Sequence, residues 1–251
     1  MCIIAFAHQV HPEYPLILIG NRDEFYNRPT QEIHWWDEKI LAGKDLEAGG
    51  TWLGFSKEGR FSIVTNYRDI AGIKQNARSR GDLPLNFIRG SDDMQAYVSE
   101  ISEEENAYNG YNLLLWEKGE MVHYSNYESK INPIQPGVHA LSNALLNTPW
   151  HKTERLKKGF ENTIDGSFNV ENLFSLLTDE VKADDKDLPS TGLPYEREKE
   201  ISSICIRTKD YGTCSSTVVL VDKNREVTLI ERIYSVGNRT EQENVFSWSL
   251  E

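Results

Sequence analysis

The sequence predicts an α+β fold in which mostly antiparallel sheets carry helices on the outside. Short apolar and β-branched runs, bounded by Gly, Asn, Asp and Pro, dominate the first two thirds of the chain and recur near its end. Such runs are typical of strands joined by hairpins. A few segments between them repeat apolar residues at the three- and four-residue interval of a helix. This mixture favours sheets packed together and covered by helices.

The predicted strands are short apolar segments that end at turn-forming residues. They cover residues 2–7, 16–19, 51–55, 61–65, 111–116, 121–124, 138–141, 203–206, 217–221 and 227–233. The segment 56–60 contains Gly59 and predicts a hairpin loop between two of these strands.

Three segments have the caps and the spacing of helices. Ser91 is the expected N-cap of the first, and Thr148 with Pro149 forms the expected cap and first turn of the second, which runs to about residue 160. Asn169 would cap the third. The core-facing residues are Met94, Tyr97, Val98 and Ile101 in the first helix and Leu173, Leu176 and Leu177 in the third, and the second helix runs through Leu156.

Residues 181–200 are polar and contain Pro189, Gly192 and Pro194, so we expect a long irregular loop that serves as a lid or in assembly. The chain has 251 residues, no internal repeat and no low-complexity linker. A length of this order fits one sizeable domain better than two, and we predict a single domain over residues 1–251.

Composition excludes several classes of function. The formal charge of −12 and the lack of basic runs disfavour a nucleic-acid partner. No apolar stretch approaches the roughly 20 residues that cross a bilayer, and the N-terminus lacks a secretory pattern, which together predict a cytoplasmic protein. Three cysteines are too few for a disulfide framework, and the six histidines show no zinc-type spacing. We therefore expect neither a metal nor a cofactor.

Cys2 is the first candidate for chemistry. A small residue after the initiator Met usually permits removal of Met1, which would leave a cysteine that carries both a thiol and a free α-amine. The α-amine titrates near 7.7–8.0 and a free thiol near 8.5, so the amine can act as the base for the thiol at neutral pH. Considered alone, Cys2 is more often a small buried residue that opens a strand.

The segment Asn21-Arg22-Asp23-Glu24 follows a predicted strand and sets a cation beside an anion. A guanidinium would stabilise a thiolate, and a carboxylate would orient an α-amine by hydrogen bonding, which are the roles we assign to Arg22 and Asp23. A salt-bridged surface turn explains the same pattern equally well.

Two asparagines close predicted strands, Asn66 after Thr65 and Asn143 after Ser142. A neutral amide can stabilise an oxyanion without neutralising the nucleophile, although an isolated Asn is more often a turn residue. The block from Gly49 to Gly54 contains Trp52, which could wall an apolar pocket or fill a core at a tight hairpin.

These segments together resemble the NRDE family, also called the transport and Golgi organisation 2 family. The resemblance covers nearly the whole chain and depends on ordered blocks, which are Met1-Cys2-Ile3-Ile4, Asn21-Arg22-Asp23-Glu24, Gly49-Gly50-Thr51-Trp52-Leu53-Gly54, Thr65-Asn66, Ser79-Arg80-Gly81, Tyr111-Asn112-Leu113-Leu114, Leu141-Ser142-Asn143, Leu188-Pro189-Ser190-Thr191-Gly192 and Tyr211-Gly212-Thr213.

The family is similar in turn to the cysteine N-terminal-nucleophile amidases. That resemblance implies a four-layer αββα sandwich, a Cys2 nucleophile, charged roles for Arg22 and Asp23, and amide roles for Asn66 and Asn143. Where members of the family often carry an arginine after the Tyr-Gly-Thr block, this chain has Cys214. We further predict that the substrate is bound by Trp52, Arg80, Asn21 and Glu24.

The resemblance predicts a hydrolase that cleaves a linear, non-peptide C–N bond through a Cys2 acyl-enzyme. Its expected partner is a small-molecule substrate, and a homo-oligomer is left open. The alternative is a non-catalytic binding or trafficking protein that uses the same fold for a lipid, an acyl thioester or a haem-like ligand.

Overall fold

The computed structural model describes residues 2–235 and 240–251. These residues divide into two compact units. Unit 1 is the described part of Met1–Asn27, Pro136–Ser142 and Leu146–Trp248, and unit 2 is Arg28–Gln135, Asn143–Leu145 and Ser249–Glu251. Each unit is discontinuous in sequence. The single domain over residues 1–251 stays a prediction.

The strands of the described residues are, in chain order, β1 (Cys2–His8), β2 (Leu16–Phe25), β3 (Thr30–Trp35), β4 (Ile40–Asp45), β5 (Leu53–Ser56), β6 (Arg60–Asn66), β7 (Tyr111–Glu117), β8 (Glu120–Ser125), β9 (Lys130–Pro133), β10 (Gly137–Leu141), β11 (Tyr211–Val221), β12 (Glu226–Tyr234) and β13 (Thr240–Ser249). The α-helices are α1 (Asp82–Arg89), α2 (Met94–Glu103), α3 (His151–Ile164), α4 (Val170–Leu177) and α5 (Tyr195–Glu200). Short 3₁₀ turns lie at Glu105–Ala107 and Asp185–Asp187.

Unit 1 contains a six-stranded sheet in the order β10-β1-β2-β11-β12-β13. Strands β1, β2 and β11 pair antiparallel and are buried along most of their length. Helices α3 and α4 pack against this sheet because their apolar residues meet the alternate residues of the strands that face them. The core between them includes Ile3, Ile19, Phe160, Phe174 and Val218.

Unit 2 contains a seven-stranded sheet in the order β3-β4-β5-β6-β7-β8-β9. Every neighbouring pair in it is antiparallel, so the sheet is a run of sequential hairpins. Helices α1 and α2 cover one face, where Phe87 and Tyr97 pack with Leu113 and Tyr124. Both units therefore confirm the predicted α+β class with mostly antiparallel sheets.

Most of the predicted strands are confirmed, but one is wrong. Residues 203–206 form no strand, and only Arg207 makes an isolated bridge, to Gly212. The apolar side chains of Ile204 and Ile206 that suggested a strand are instead buried in two separate core clusters. Their hydrophobicity reflects burial alone.

Several predicted boundaries also differ. Strand β2 was expected to end at residue 19 but continues to Phe25, because its polar half pairs with β1 and β11 on both sides. Helix α2 is capped by Asp93, whose carboxylate accepts from the N–H of Ala96, and not by Ser91. Helix α3 begins at His151 after Trp150, two residues later than expected. The predicted cap at Asn169 is confirmed, with a capping box to Asn172.

Four described strands and two helices lie where none was predicted: β3, β4, β9, β13, α1 and α5. Helix α5 falls inside the segment 181–200, which we expected to be irregular. The hairpin loop predicted at residues 56–60 is confirmed, with Phe55 opposite Phe61 and a positive φ of 89° at Gly59.

Candidate functional site

Cys2 opens β1, which lies between β10 and β2 in the unit 1 sheet. Its register partner on β2 is Arg22, so both side chains leave the same face of the sheet. The carbonyl oxygen of Cys2 accepts a hydrogen bond from the hydroxyl of Ser142, at 3.1 Å. Cys2 is 7% exposed, and these contacts fix the start of the strand.

Burial raises the pKa of the Cys2 thiol above its ordinary value, and the negative charge of Asp23 acts in the same direction. The guanidinium of Arg22 and the hydrogen bond from the Asp23 backbone oppose this shift because they favour the thiolate. The thiol therefore rests protonated at neutral pH and needs a base.

Asp23 lies on the opposite face of β2 from Arg22, since neighbouring residues of a strand alternate. Its carboxyl is 1% exposed and accepts a hydrogen bond from the Thr213 hydroxyl at 2.7 Å. The Tyr211 hydroxyl donates to the Asp23 carbonyl at 3.2 Å. Strand β11 thus holds both the side chain and the backbone of Asp23.

Burial raises the pKa of Asp23 above its ordinary value. The positive charge of Lys152, the hydrogen bond from Thr213 and the charge of Arg22 all work against that shift. Lys152 lies in the first turn of α3, is 2% exposed and donates to the carbonyl of Ile201 at 3.4 Å. Unit 1 therefore contains a buried carboxyl whose charge is supported by two buried cations.

The other two residues of the predicted tetrapeptide have different surroundings. The Asn21 amide donates to the carbonyls of Leu177 and Ile204, at 2.9 and 3.0 Å, and accepts from the Ser216 hydroxyl. These bonds tie β2 to the end of α4, which favours a structural role for Asn21. The Glu24 carboxylate is half-buried and accepts from the N–H of Phe25.

In unit 2 the structure brings Asn66 and Asn143 together. The Nδ2 of Asn143 donates to the carbonyl of Asn66 at 3.0 Å. The Nη2 of Arg68 donates to the Oδ1 of Asn143 at 3.0 Å, and the backbone N–H of Arg68 donates to the Asn143 carbonyl at 2.8 Å. Asn143 is fully buried and Arg68 is 7% exposed. Arg68 was not predicted from the sequence.

A second layer of polar groups supports this loop from below. The Nδ2 of Asn112 donates to the Thr65 hydroxyl at 3.2 Å and to the Ala144 carbonyl at 2.9 Å. Its Oδ1 meets the Nε2 of His123 at 3.1 Å, so that nitrogen must carry the proton. Burial lowers the pKa of His123 to about 4 and keeps the ring neutral. Thr65 and Ala144, next to the two asparagines, are thereby joined through one side chain.

Trp52 and Arg80 also lie in unit 2. The Trp52 ring packs so closely over Gly43 that a Cβ there would lie 2.1 Å from it. The Nη1 of Arg80 donates to the Gly110 carbonyl at 3.1 Å. The predicted residues thus form two groups, Cys2 with Arg22, Asp23, Asn21 and Glu24 in unit 1, and the remaining four in unit 2.

Thr213, Lys152 and Arg68 are the residues that sequence reasoning missed. Thr213 belongs to the block Tyr211-Gly212-Thr213, which does not by itself indicate a role for the Thr213 hydroxyl. Lys152 and Arg68 carry no signal in a single sequence, because burial of a cation depends on what the fold packs around it. Arg68 could have been noticed only for its position two residues after Asn66.

Within residues 2–235 and 240–251, no three His, Cys, Asp or Glu side chains are grouped so that they could hold a metal ion. No helix in that part of the chain is long and apolar enough to span a membrane. The expected cytoplasmic location and the homo-oligomer stay predictions.

The sequence matches the family model described as Transport and Golgi organisation 2 over residues 1–236. The chain belongs to this family. The bovine Transport and Golgi organization protein 2 homolog is 38% identical over 258 residues, with 92% of each protein covered. The human homolog is 34% identical over 256 residues, again with 92% of each covered. The resemblance to this family that was stated from the sequence is confirmed.

Among solved structures, a Cys-to-Ala variant of the conjugated bile acid hydrolase from Clostridium perfringens superposes on this chain with a TM-score of 0.51. The two sequences are 12% identical, and the superposition covers 98% of this chain and 92% of the hydrolase. A second variant of the same hydrolase gives 0.50 at 11% identity, with the same coverage. That enzyme has the N-terminal-nucleophile hydrolase fold. This likeness confirms the predicted fold of the family member described here.

Proposed function

We propose that this family member is an N-terminal-nucleophile hydrolase that cleaves a linear, non-peptide C–N bond through an acyl-enzyme on Cys2. One observation supports this proposal most directly. The register of β1 and β2 sets Cys2 opposite Arg22, while the next residue, Asp23, buries its carboxyl in the same sheet.

The proposed reaction begins with removal of Met1, which gives Cys2 a free α-amine. Because burial holds the Cys2 thiol protonated, the amine must take that proton as the thiol attacks the substrate carbonyl. Arg22 stabilises the negative sulfur, and Asp23 orients the amine and stabilises the ammonium that forms. Lys152 and Thr213 favour the ionised form of Asp23 and oppose the burial that raises its pKa.

Attack forms a C–S bond and places negative charge on the carbonyl oxygen. A neutral amide donor suits this oxyanion, since an amide N–H meets the charge without neutralising it. Asn66 and Asn143 keep the amide roles that the resemblance implies. Collapse breaks the C–N bond, and the ammonium of Cys2 returns its proton to the leaving nitrogen. Water, deprotonated by the same amine, then attacks the thioester and releases the acid and the thiol.

The comparisons support the scaffold for this chemistry. The conjugated bile acid hydrolase is a hydrolase by name, and its variant replaces a cysteine at the second position, where this chain has Cys2. At 12% identity that likeness extends to the fold alone. The substrate of this family member is therefore proposed only as a class.

The test uses activated acyl esters of three chain lengths, p-nitrophenyl acetate, butyrate and octanoate. We expect a burst of nitrophenolate with at least one ester, together with an added acyl group on Cys2 by peptide mass mapping. Cys2→Ala should abolish the burst, whereas the matched control Cys205→Ala removes another buried thiol and should keep it. No burst with any ester, or acylation elsewhere in the chain, refutes the proposal.

A second candidate function follows from the names of the relatives, which refer to transport and Golgi organisation and not to catalysis. In this reading the protein binds a lipid, an acyl thioester or a haem-like ligand without turning it over. Trp52 would then matter more than Cys2. Binding of a fluorescent fatty acyl probe should survive Cys2→Ala and weaken with Trp52→Ala, and the opposite pattern would exclude the binding function.

A further inference from the structure

The carbonyl oxygen of Cys2 is held by a hydroxyl that the proposed reaction does not use. The Oγ of Ser142 donates to it at 3.1 Å. Ser142 is 3% exposed and Cys2 is 7% exposed, so water has little access to this bond. Ser142 lies directly after β10, in the block Leu141-Ser142-Asn143, and the proposed function uses only the asparagine of that block.

The strand pairing supports the start of β1 unevenly. On one side β2 flanks β1 as far as Cys2, which lies opposite Arg22. On the other side the register of β1 with β10 begins at Ile4 and Leu141, so Cys2 lies beyond it. The first residues of a chain are poorly ordered unless something ties them down. The Ser142 side chain supplies such a tie on the side where the β10 ladder has ended.

An N-terminal residue has few torsions that place its reactive atoms. Once Met1 is removed, rotation about the N–Cα bond of Cys2 moves only the hydrogens of the amine. The peptide group between Cys2 and Ile3 is planar, so its orientation and the ψ angle of Cys2 together set where the nitrogen and the Cβ lie. The χ1 angle then places the sulfur. A bond that fixes the Cys2 carbonyl therefore acts on the nucleophile and on its base together.

We propose that Ser142 is a positioning residue that anchors the peptide group between Cys2 and Ile3 and thereby aims both the thiol and the α-amine of Cys2. This inference rests on the proposed function, in which the amine must take the proton of the thiol. The Ser142 hydroxyl acts through the Cys2 backbone and takes no part in the bonds that form and break. A role in folding alone predicts a different outcome in the experiment below.

The experiment compares two buried serines whose hydroxyls make the same kind of bond. Ser62 is fully buried on β6, and its Oγ donates to the carbonyl oxygen of Leu114 at 3.1 Å. Ser62→Ala and Ser142→Ala therefore remove the same group and a bond of the same length. The burst is measured at increasing concentrations of whichever of the three esters gives the largest amplitude. This separates the limiting acylation rate from the half-saturating ester concentration.

We expect Ser142→Ala to lower the limiting acylation rate by about 3- to 10-fold, which is the range expected for the loss of one neutral hydrogen bond. The half-saturating concentration should stay within about twofold of wild type, because Ser142 aims the reacting groups and does not bind the ester. Ser62→Ala should acylate at the wild-type rate. Ser142→Thr keeps a hydroxyl and should recover most of the lost rate.

Amide hydrogen exchange, followed by NMR, tests the anchor without any substrate. The N–H of Ile3 belongs to the peptide group that Ser142 holds, so its exchange should be about 3- to 10-fold faster in Ser142→Ala and unchanged in Ser62→Ala. Wild-type acylation by Ser142→Ala, an unchanged exchange rate at Ile3, or equal losses of acylation in the two alanine variants would overturn the inference and leave the proposed function intact. A wild-type protein that gives no burst would refute the proposed function and, with it, the aiming of Cys2.

Discussion

Replacing Thr213 with Val is the sharpest structural perturbation of the candidate site. The Thr213 hydroxyl donates to the Asp23 carboxylate at 2.7 Å and accepts the Ile206 N–H at 3.0 Å. Thr213 is 1% exposed, so water cannot replace either partner without local opening. Valine has nearly the same shape and removes only the hydroxyl.

The expected cost follows from the two bonds. A hydrogen bond to a charged group contributes about 1.5–3 kcal/mol, and leaving a buried N–H without an acceptor costs about 1–3 kcal/mol. Because the two effects share one hydroxyl they will not add fully, and we expect Thr213→Val to lower the free energy of unfolding by about 3 kcal/mol. Thr213→Ser keeps the hydroxyl and loses one methyl group, which should cost about 1 kcal/mol.

Urea unfolding at pH 7, followed by tryptophan fluorescence and by circular dichroism, measures both variants. Agreement between the two probes is needed before a single free energy is extracted. We expect the valine variant to be less stable than the serine variant by about 2 kcal/mol. Equal stabilities of the two variants would show that the hydroxyl does not hold Asp23, and the reasoning would be refuted.

Three further predictions concern titrating groups. Burial raises the pKa of Asp23, so the folded state loses stability as pH rises from the unfolded pKa near 3.8 through the raised folded pKa. Asp23→Asn should remove this loss, so the variant should be more stable than wild type at pH 7 and equally stable near pH 3.8. Urea midpoints measured across that pH range test this. Lys152→Met should shift the acidic limb of the acylation pH profile to higher pH, because Lys152 lowers the pKa of Asp23. Lys152→Arg keeps the positive charge and should leave the limb in place. An unshifted limb in the methionine variant would contradict this role of Lys152. Burial lowers the pKa of His123 from 6.5 to about 4. Because the unfolded chain then binds a proton that the folded state does not, the free energy of unfolding should fall by about 3 kcal/mol as pH drops from 6.5 to 4. His123→Gln should lack this loss in the same urea titration.

The strands of the fold could be predicted because they are apolar and bounded by turn residues. Strand β1 and strands β6 to β8 follow this rule and lie close to where the sequence put them. Strand β3 could not be found in this way, since its sequence Thr-Gln-Glu-Ile-His-Trp is largely polar and only Ile33 is buried. Its place in the sheet depends on pairing with β4, which is a tertiary contact.

The candidate site, too, could be predicted from the sequence only in part. Cys2, Arg22 and Asp23 were proposed from their motif, and the pairing of β1, β2 and β11 now gives them a common frame. The second half of β2 was missed because its residues are polar, although they are buried between two strands. Lys152 reaches Asp23 electrostatically from a helix more than a hundred residues away in sequence, a juxtaposition that no local pattern encodes.

The central claim is that Cys2 becomes the N-terminal residue and the nucleophile, and intact mass spectrometry tests it most directly. Purified protein should be lighter than the full translation product by one methionine, and after brief exposure to p-nitrophenyl butyrate it should gain one acyl group that Cys2→Ala does not gain. A protein that keeps Met1, or one that acquires the acyl group equally well without Cys2, would contradict the account.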